Sequence, residues 1–200
     1  ALGLAYLDTG AMYRALTLWA HRQGVPLTDQ ERVADLAATM PLRLRTDPAE
    51  PRVFLDEQDV STAIRDTRIS QAVSAAATNL AVRAELVRQQ RRIIASGGVV
   101  AEGRDITTVV APEAPVRILL TADQDARLAR RAMEVHGSAD AEALAATHDQ
   151  VLRRDADDST VAQFHEAAEG VDVIDSSALT LEDTVAAVLD VVALRTGVRA

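Results

Sequence analysis

Short apolar runs alternate with helical patterns along much of this chain, and that alternation limits the folds it can adopt. The runs occupy residues 4–8, 99–101, 116–120 and 171–174. Helical patterns separate them and flank them. Short strands that alternate with helices in this way are typical of parallel sheets covered on both faces. The sequence therefore predicts an α/β fold with a doubly wound parallel sheet.

One segment departs from this alternation. Residues 42–45 read Leu-Arg-Leu-Arg, which has the period of a strand, and a second short strand is predicted at 53–55 after a proline-containing loop. The two strands predict a β-hairpin. Helices are predicted on either side of it, the first from a capping box at 28–31 and the second in two pieces over 67–96. The hairpin is expected to lie in an insertion within the α/β core.

Charge and composition argue against several classes of function. The formal net charge of −9 disfavours binding to nucleic acids or anionic membranes, because both require clustered positive charge. No apolar stretch is long enough to span a bilayer, and there is no cysteine for disulfides or thiolate metal sites. The four histidines share no metal-ligand spacing. We therefore expect a cytoplasmic monomer with no nucleic-acid, membrane or resident metal partner.

Every one of the 21 basic residues is an arginine. Guanidinium groups hold phosphates bidentately and stay charged, and ligands of open α/β sheets bind at the carboxyl ends of strands. Arg14, Arg104 and Arg154 lie beside predicted strand ends or turns, so they are candidates for a phosphate site. Other arginines are interpreted as lying on solvated faces: Arg43, Arg45, Arg88 and Arg91.

The strongest local signal is Glu102-Gly103-Arg104-Asp105, which follows an apolar strand. Glycine there allows the backbone to approach a ligand closely. The pattern is equally compatible with a strand-terminating turn that carries a surface Arg–Asp pair, so both interpretations stay open at this point.

Four ordered motifs resemble those of cytidylate kinases. They are LDTGAMYR (7–14), DVSTAIRD (59–66), EGRDITTVVAPEAPVRILLTA (102–122) and RRDADDST (153–160). Their separations also resemble those of the family, so the resemblance covers essentially the whole chain. It implies transfer of the γ-phosphoryl group of ATP, with Mg²⁺, to CMP or dCMP, giving CDP or dCDP in pyrimidine nucleotide metabolism.

The resemblance also implies a domain layout. The fold would be that of a P-loop kinase, with a parallel sheet, flanking helices and a small inserted monophosphate-binding domain that contains the hairpin. The chain would be one domain over 1–200, with a core of 1–40 and 86–200. The CMP-binding insertion would span about 41–85, and a lid would span about 123–156.

The resemblance implies a role for several residues at the acceptor nucleotide. Thr9 and Arg14 would lie near the monophosphate, with Arg14 on the phosphate and Arg104 as a second clamp. Arg154 and Asp158 would contact the ribose. The alternative for the segment around Asp158 is an ordinary loop with capping side chains.

The base and the lid are implied in the same way. Ser74 and Arg83 would bind the cytosine edge, and Asp105 would orient Arg83 or accept from the base. Three arginines would belong to the lid that covers the transferring phosphate, as catalytic residues: Arg127, Arg130 and Arg131. Without the resemblance, Ser74 would be a helix-contact serine and the lid arginines a solvated helix face.

Three features depart from the family pattern. No G-x-x-x-x-G-K-[ST] loop and no lysine occur, so about 20–25 residues that include the ATP-binding loop are expected to precede Ala1. The chain alone is therefore expected not to phosphorylate CMP. Val161 replaces an arginine of the motif DSTR, which removes one contact to the acceptor phosphate. Thr107 replaces a glycine, a costly exchange if the turn requires positive φ.

Two other interpretations remain. The chain would be a non-catalytic relative, a nucleotide-binding or interaction domain that has lost its donor loop, and Val161 and Thr107 favour this. Alternatively it would be another small-molecule phosphotransferase on the same fold. The cytosine-edge pair of Ser74 and Arg83 argues against the latter.

Overall fold

Two pairs of parallel strands, each a separate two-stranded sheet in the described residues, form the parallel β-structure that the strand–helix alternation predicts. The computed structural model describes residues 1–148 and 166–198. The chain divides into two compact units, one of residues 2–111 and the other of residue 1 with the residues from Pro112 onward. Each unit contains one parallel pair and flanking helices, which confirms the mixed α/β class.

In the first unit, strand β1 (Ala5–Asp8) pairs with strand β5 (Val99–Glu102), and Asp8 lies opposite Glu102. Helix α1 (Thr9–Arg22) follows β1 without a loop, and its side chains Met12 and Leu16 are fully buried. Because parallel strands end at the same edge, the residues that follow β1 and β5 meet there. Asp8 and Glu102, which belong to two of the motifs, lie opposite each other at that edge.

The predicted hairpin is confirmed. Strands β2 (Leu42–Arg45) and β3 (Arg52–Leu55) are antiparallel, and Leu55 is fully buried while the arginines of β2 are exposed. A third strand, β4 (Gln58–Asp59), extends the sheet in the order β2-β3-β4. It follows a two-residue turn, Asp56-Glu57, in which both residues have positive φ, 49° and 61°. Those angles define a hairpin turn that favours glycine and asparagine.

Replacement of Glu57 by glycine is expected to stabilise the chain by about 0.5–1 kcal/mol, because glycine adopts positive φ without steric cost. The exposed ion pair of Glu57 with Arg43 would be lost, but exposed pairs contribute little. Chemical denaturation measures the change. The control is Gln58→Gly, at the next position, where φ is not positive and glycine should destabilise β4. Equal effects at both positions would contradict this account of the turn.

Three helices complete the first unit: α2 (Gln30–Thr39), α3 (Thr67–Ala77) and α4 (Leu80–Ile94). The prediction of two helical pieces in 67–96 is confirmed, and that of a helix after residue 28 is confirmed with one correction. The N-cap of α2 is Asp29, whose carboxylate accepts from the Arg32 amide, so Thr28 lies outside the cap. Asn79 caps α4, and its side-chain amide donates to the Gln30 carbonyl at 2.8 Å, which joins α4 to the start of α2.

A one-turn π-helix, Ile106–Val110, follows β5 and is called the π turn below. The sequence pattern did not predict it, because its apolar residues Val109 and Val110 suggest only a short buried run. The backbone carbonyl of Asp105 accepts from the amides of both valines, at 2.9 and 3.1 Å. The positive φ that would make Thr107 costly does not occur, because Thr107 lies within this turn at negative φ.

The second unit contains strand β6 (Ile118–Thr121) parallel to strand β7 (Asp172–Asp175). Its helices are α5 (Gln124–His136), α6, described over 141–148, and α7 (Leu181–Thr196). Asp123 caps α5, and Gly137 ends it in the left-handed conformation. None of the helices in the described part of the chain is long and apolar enough to cross a membrane.

Candidate acceptor-nucleotide site

Asp8 organises the carboxyl end of β1. One carboxylate oxygen accepts from the Ala11 amide at 2.8 Å and caps α1, while the other accepts from Arg14 at 2.7 Å and from Arg65 at 3.3 Å. Asp8 and Arg14 are largely buried, with side chains 13% and 11% exposed, whereas Arg65 is 63% exposed. Two guanidinium groups therefore converge on one carboxylate oxygen, an arrangement that would also suit a phosphate oxygen.

Sequence reasoning found Arg14 but missed Asp8 and Arg65. Both lie inside motifs that the sequence shows, Asp8 in LDTGAMYR and Arg65 in DVSTAIRD. Their separation along the chain conceals that they meet. Gly10 leaves room for the ion pair of Arg14 and Asp8, because a Cβ atom at this position would lie 3.1 Å from Arg14 Nη1 and 3.2 Å from Asp8 Oδ1.

The end of β5 is joined to the end of β1 by Thr9. The Thr9 side chain is buried, and its hydroxyl donates to the Glu102 carbonyl at 2.7 Å. The Tyr6 hydroxyl donates to the Glu102 carboxylate at 2.7 Å, and burial together with that acidic neighbour raises the pKa of Tyr6 far above its ordinary value. The Thr9 hydroxyl thus holds two strand ends together, and its predicted place near a monophosphate remains a prediction.

Arg83 and Asp105 form a largely buried ion pair at the elbow between α3 and α4. Arg83 Nη2 lies 2.5 Å from Asp105 Oδ2, and the two side chains are 14% and 7% exposed. Arg83 Nη1 donates to the Ala77 carbonyl at the end of α3, at 3.3 Å. The contact between Arg83 and Asp105 that the family resemblance implies is therefore present. The alternative of a surface pair within the turn is wrong, because Asp105 is buried and its partner lies on α4.

Two polar groups near this pair have unused bonding capacity. Within the described residues, Oδ1 of Asp105 accepts no hydrogen bond and the Ser74 hydroxyl makes none. Ser74 lies one turn before Ala77 on α3, so it belongs to the same elbow. A carboxylate acceptor, a guanidinium donor and a hydroxyl are the groups needed to bind the polar edge of a base.

The remaining arginines of this unit differ in their surroundings. Arg104 is half-buried between Gly103 and Asp105. Arg43, Arg45 and Arg88 are exposed and paired with acidic neighbours, as expected for solvated faces. The interpretation of Arg91 as a residue on a solvated face is incomplete, because its guanidinium donates to two backbone carbonyls of the π turn.

The predicted lid arginines lie in the second unit. Arg127, Arg130 and Arg131 are all on α5. Arg130 donates to the Ser176 hydroxyl and carbonyl, and to the Leu179 carbonyl, so it holds the loop after β7. Arg131 pairs with Glu134 one turn later, at 2.8 Å. Their predicted role at a transferring phosphate stays a prediction.

Other predicted features fall elsewhere. Arg154, Asp158 and Val161 lie outside the described residues. In the part of the chain that the structure describes, no three His, Asp or Glu side chains lie close enough together to hold a metal ion.

Parallel strands with flanking helices, a separate small antiparallel sheet and arginines at strand ends together define a class of protein. They are the features of a P-loop nucleoside monophosphate kinase fold. The chain belongs to the cytidylate kinase family, whose family model matches residues 1–194. It is accordingly a nucleoside monophosphate kinase, a nucleotide-binding transferase of pyrimidine metabolism.

Its similarity to individual proteins extends over nearly the whole chain. A cytidylate kinase of Cutibacterium acnes is 45% identical over 193 residues, which cover 96% of this chain and 85% of that protein. A cytidylate kinase of Rhodococcus opacus is 44% identical over 200 residues, covering 98% of this chain and 87% of that protein. A cytidylate kinase of Streptococcus suis is 39% identical over 187 residues, which cover 92% of this chain and 83% of that protein.

Proposed function

We propose that the chain binds CMP or dCMP as phosphoryl acceptor and that, together with an ATP-binding loop, it transfers the γ-phosphoryl group of ATP to it, giving CDP or dCDP and ADP. The observation that carries this proposal is the Arg83–Asp105 ion pair, at 2.5 Å, with Ser74 on the adjoining helix. Cytosine presents an N4 amino donor beside acceptors at N3 and O2. A carboxylate can accept from the amino group while a guanidinium donates to the acceptors, which matches cytosine better than uracil.

The monophosphate would bind at Arg14 and Arg65, with Arg104 on the neighbouring turn. Arg14 and Arg65 already share a carboxylate oxygen of Asp8, so their positive charges are gathered before a ligand arrives. Such preorganisation reduces the entropy lost on binding. A dianionic phosphate would be a stronger acceptor for these two guanidinium groups than a carboxylate oxygen.

The reaction requires positioning more than covalent chemistry. A phosphate oxygen of CMP attacks the γ-phosphorus of ATP, that P–O bond forms, and the bond to the β-phosphate oxygen breaks to release ADP. Arg14, Arg65 and Arg104 would hold the attacking phosphate, and Arg83 with Asp105 would hold the base. The implied Mg²⁺, when bound with ATP, would offset negative charge on the donor phosphates. The lid arginines Arg127, Arg130 and Arg131 are proposed to act at the transferring group.

Equilibrium binding tests the acceptor site without requiring a donor. We expect isothermal titration calorimetry of the 200-residue chain to give at least about tenfold tighter binding of CMP than of UMP, since a correct polar pairing contributes about 1–3 kcal/mol. Cytidine, which lacks the phosphate, is expected to bind about 100-fold more weakly than CMP because the charged hydrogen bonds are lost.

The two comparisons test separate parts of the proposal. Equal affinities for CMP and UMP would contradict the role of Arg83 and Asp105 in base selection. Equal affinities for CMP and cytidine would contradict the arginine phosphate site. Absence of any nucleotide binding would favour the non-catalytic interaction domain over the kinase. A comparison of CMP with dCMP determines the sugar preference.

A further inference from the structure

Helix α4 carries two arginines that bind the same short segment at its two ends. Arg83 pairs with Asp105, the residue that precedes the π turn. Arg91, eight positions later on the helix, donates from Nη2 to the Val109 carbonyl at 2.6 Å and from Nε to the Val110 carbonyl at 3.2 Å. The segment 105–110 is therefore held to α4 at both ends.

The π turn needs such external support. It is a separate single turn with the wide i→i+5 pattern, which is rare and occurs mostly within longer α-helices that support it on both sides. The last carbonyls of any helix lack partners within the helix, and here the carbonyls of Val109 and Val110 are bound by a cationic donor. Arg91 thus supplies what the short turn lacks at its carboxyl end.

Asp105 depends on this support because its backbone begins the turn. Its carbonyl accepts from the amides of Val109 and Val110, the same two residues whose carbonyls Arg91 holds. If Arg91 released them, the turn could unwind and Asp105 would lose its backbone partners. Its carboxylate would then no longer be held at a constant position relative to Arg83.

We propose that Arg91 is a positioning residue for base selection. It holds the π turn so that Asp105 keeps the geometry with Arg83 that distinguishes cytosine from uracil. This inference rests on the proposed function and extends it to a residue that would not touch the nucleotide. Arg91 would act through the backbone. Its loss should therefore lower the ratio of CMP affinity to UMP affinity, and not merely the folding stability of the chain.

The experiment compares CMP and UMP affinities in the 200-residue chain and in Arg91→Ala. We expect CMP affinity to fall about tenfold, the size of one lost charged hydrogen bond, while UMP affinity changes about twofold or less. The selectivity ratio would therefore fall. Arg91→Lys, which keeps one cationic donor, should recover part of that ratio.

Two control variants separate positioning from charge and from stability. Arg88→Ala removes an arginine of the same helix that bonds to Glu85 and not to the π turn, so the ratio should not change. Val33→Ala opens a cavity at a fully buried position on α2 and lowers stability. Any loss of affinity in Val33→Ala should be equal for CMP and UMP.

Hydrogen exchange gives a second readout. In Arg91→Ala the amides of Val109, Val110 and Ala111 should exchange faster, because their bonds lie within the π turn, while amides in the middle of α4 should keep their protection. In Val33→Ala this local acceleration should be absent.

The outcomes distinguish this inference from the function on which it rests. If the unchanged chain prefers CMP and Arg91→Ala keeps that preference, the positioning role is wrong and the proposed function stands. A ratio that falls equally in Val33→Ala and Arg91→Ala would also overturn the positioning role. If the unchanged chain shows no preference for CMP, both the inference and the base-selection part of the proposed function are wrong.

Discussion

Replacement of Arg83 by alanine is expected to weaken CMP binding about 100-fold, the loss of about 3 kcal/mol that charged hydrogen bonds to a base edge provide. Arg83 is the proposed donor to the base. In a chain that carries an ATP-binding loop, ATP affinity should change far less, because no role at the donor is proposed for Arg83. Titration calorimetry with each nucleotide measures the two effects. Equal losses for CMP and ATP would contradict the assignment of Arg83 to the base.

The same substitution should also destabilise the fold, so its effect on binding requires a second variant. Removal of one partner from a buried ion pair leaves the other charge unpaired, at a cost of about 3–5 kcal/mol. In Arg83→Ala/Asp105→Ala neither charge remains, and much of the stability should return. CMP affinity should not return with it.

Denaturation and calorimetry on the same preparations separate the two effects. Arg88→Ala serves as the matched control, because Arg88 is on the same helix, exposed, and paired with Glu85. Recovery of CMP affinity in the double variant would mean that Arg83 affects binding only through folding. That result would remove the main support for base recognition by this pair.

Replacement of Gly103 by alanine is expected to lower the free energy of unfolding by about 1–3 kcal/mol, the usual cost of forcing extra volume into a packed site. A Cβ atom at this position would overlap the Thr9 hydroxyl oxygen and would lie 3.1 Å from the Ile106 Cδ1 atom. The Thr9 hydroxyl bridges β1 to β5 through the Glu102 carbonyl. The overlap would therefore break the contact that joins the two strand ends.

A double-mutant cycle tests this mechanism. Thr9→Ala removes the oxygen that the new Cβ would meet, so Thr9→Ala/Gly103→Ala should be destabilised less than the sum of the single variants, by at least about 1 kcal/mol. Gly24→Ala is a useful comparison, since its cost comes from positive φ and nothing lies near the added Cβ. That cost should add to the cost of Thr9→Ala without coupling. Additive effects at Thr9 and Gly103 would contradict the steric explanation.

Local sequence patterns predicted much of the fold. The period of residues 42–45 and the spacing to residues 53–55 predicted the hairpin, because alternation puts Leu44 and Val53 on the side facing the core. The capping box at 28–31 predicted the start of α2 with an error of one residue, because Thr28 and Asp29 are both good caps. These features depend on neighbours in the chain, which is why a single sequence reveals them.

The site was predicted only in part. The family resemblance implied roles for Arg14, Arg83 and Asp105, and the structure brings Arg83 and Asp105 into contact. The motifs did not identify Asp8 and Arg65 as partners, because these residues are 57 positions apart and meet only when the chain folds. The support that Arg91 gives to the π turn was missed for the same reason, since it depends on backbone carbonyls that no side-chain pattern reveals.

The amino-acid sequence alone determined most of the elements and the chemical groups that are present: short strands between helices, 21 arginines and no lysine. Tertiary structure decided which of these groups act together. Hydrophobicity, period and capping depend on residues that are close together in the chain, so the sequence alone reveals them. The convergence of Arg14 and Arg65 on Asp8, and of Arg83 on Asp105, follows from strand pairing and helix packing between distant segments. Those long-range contacts are what turn scattered arginines into a candidate acceptor site.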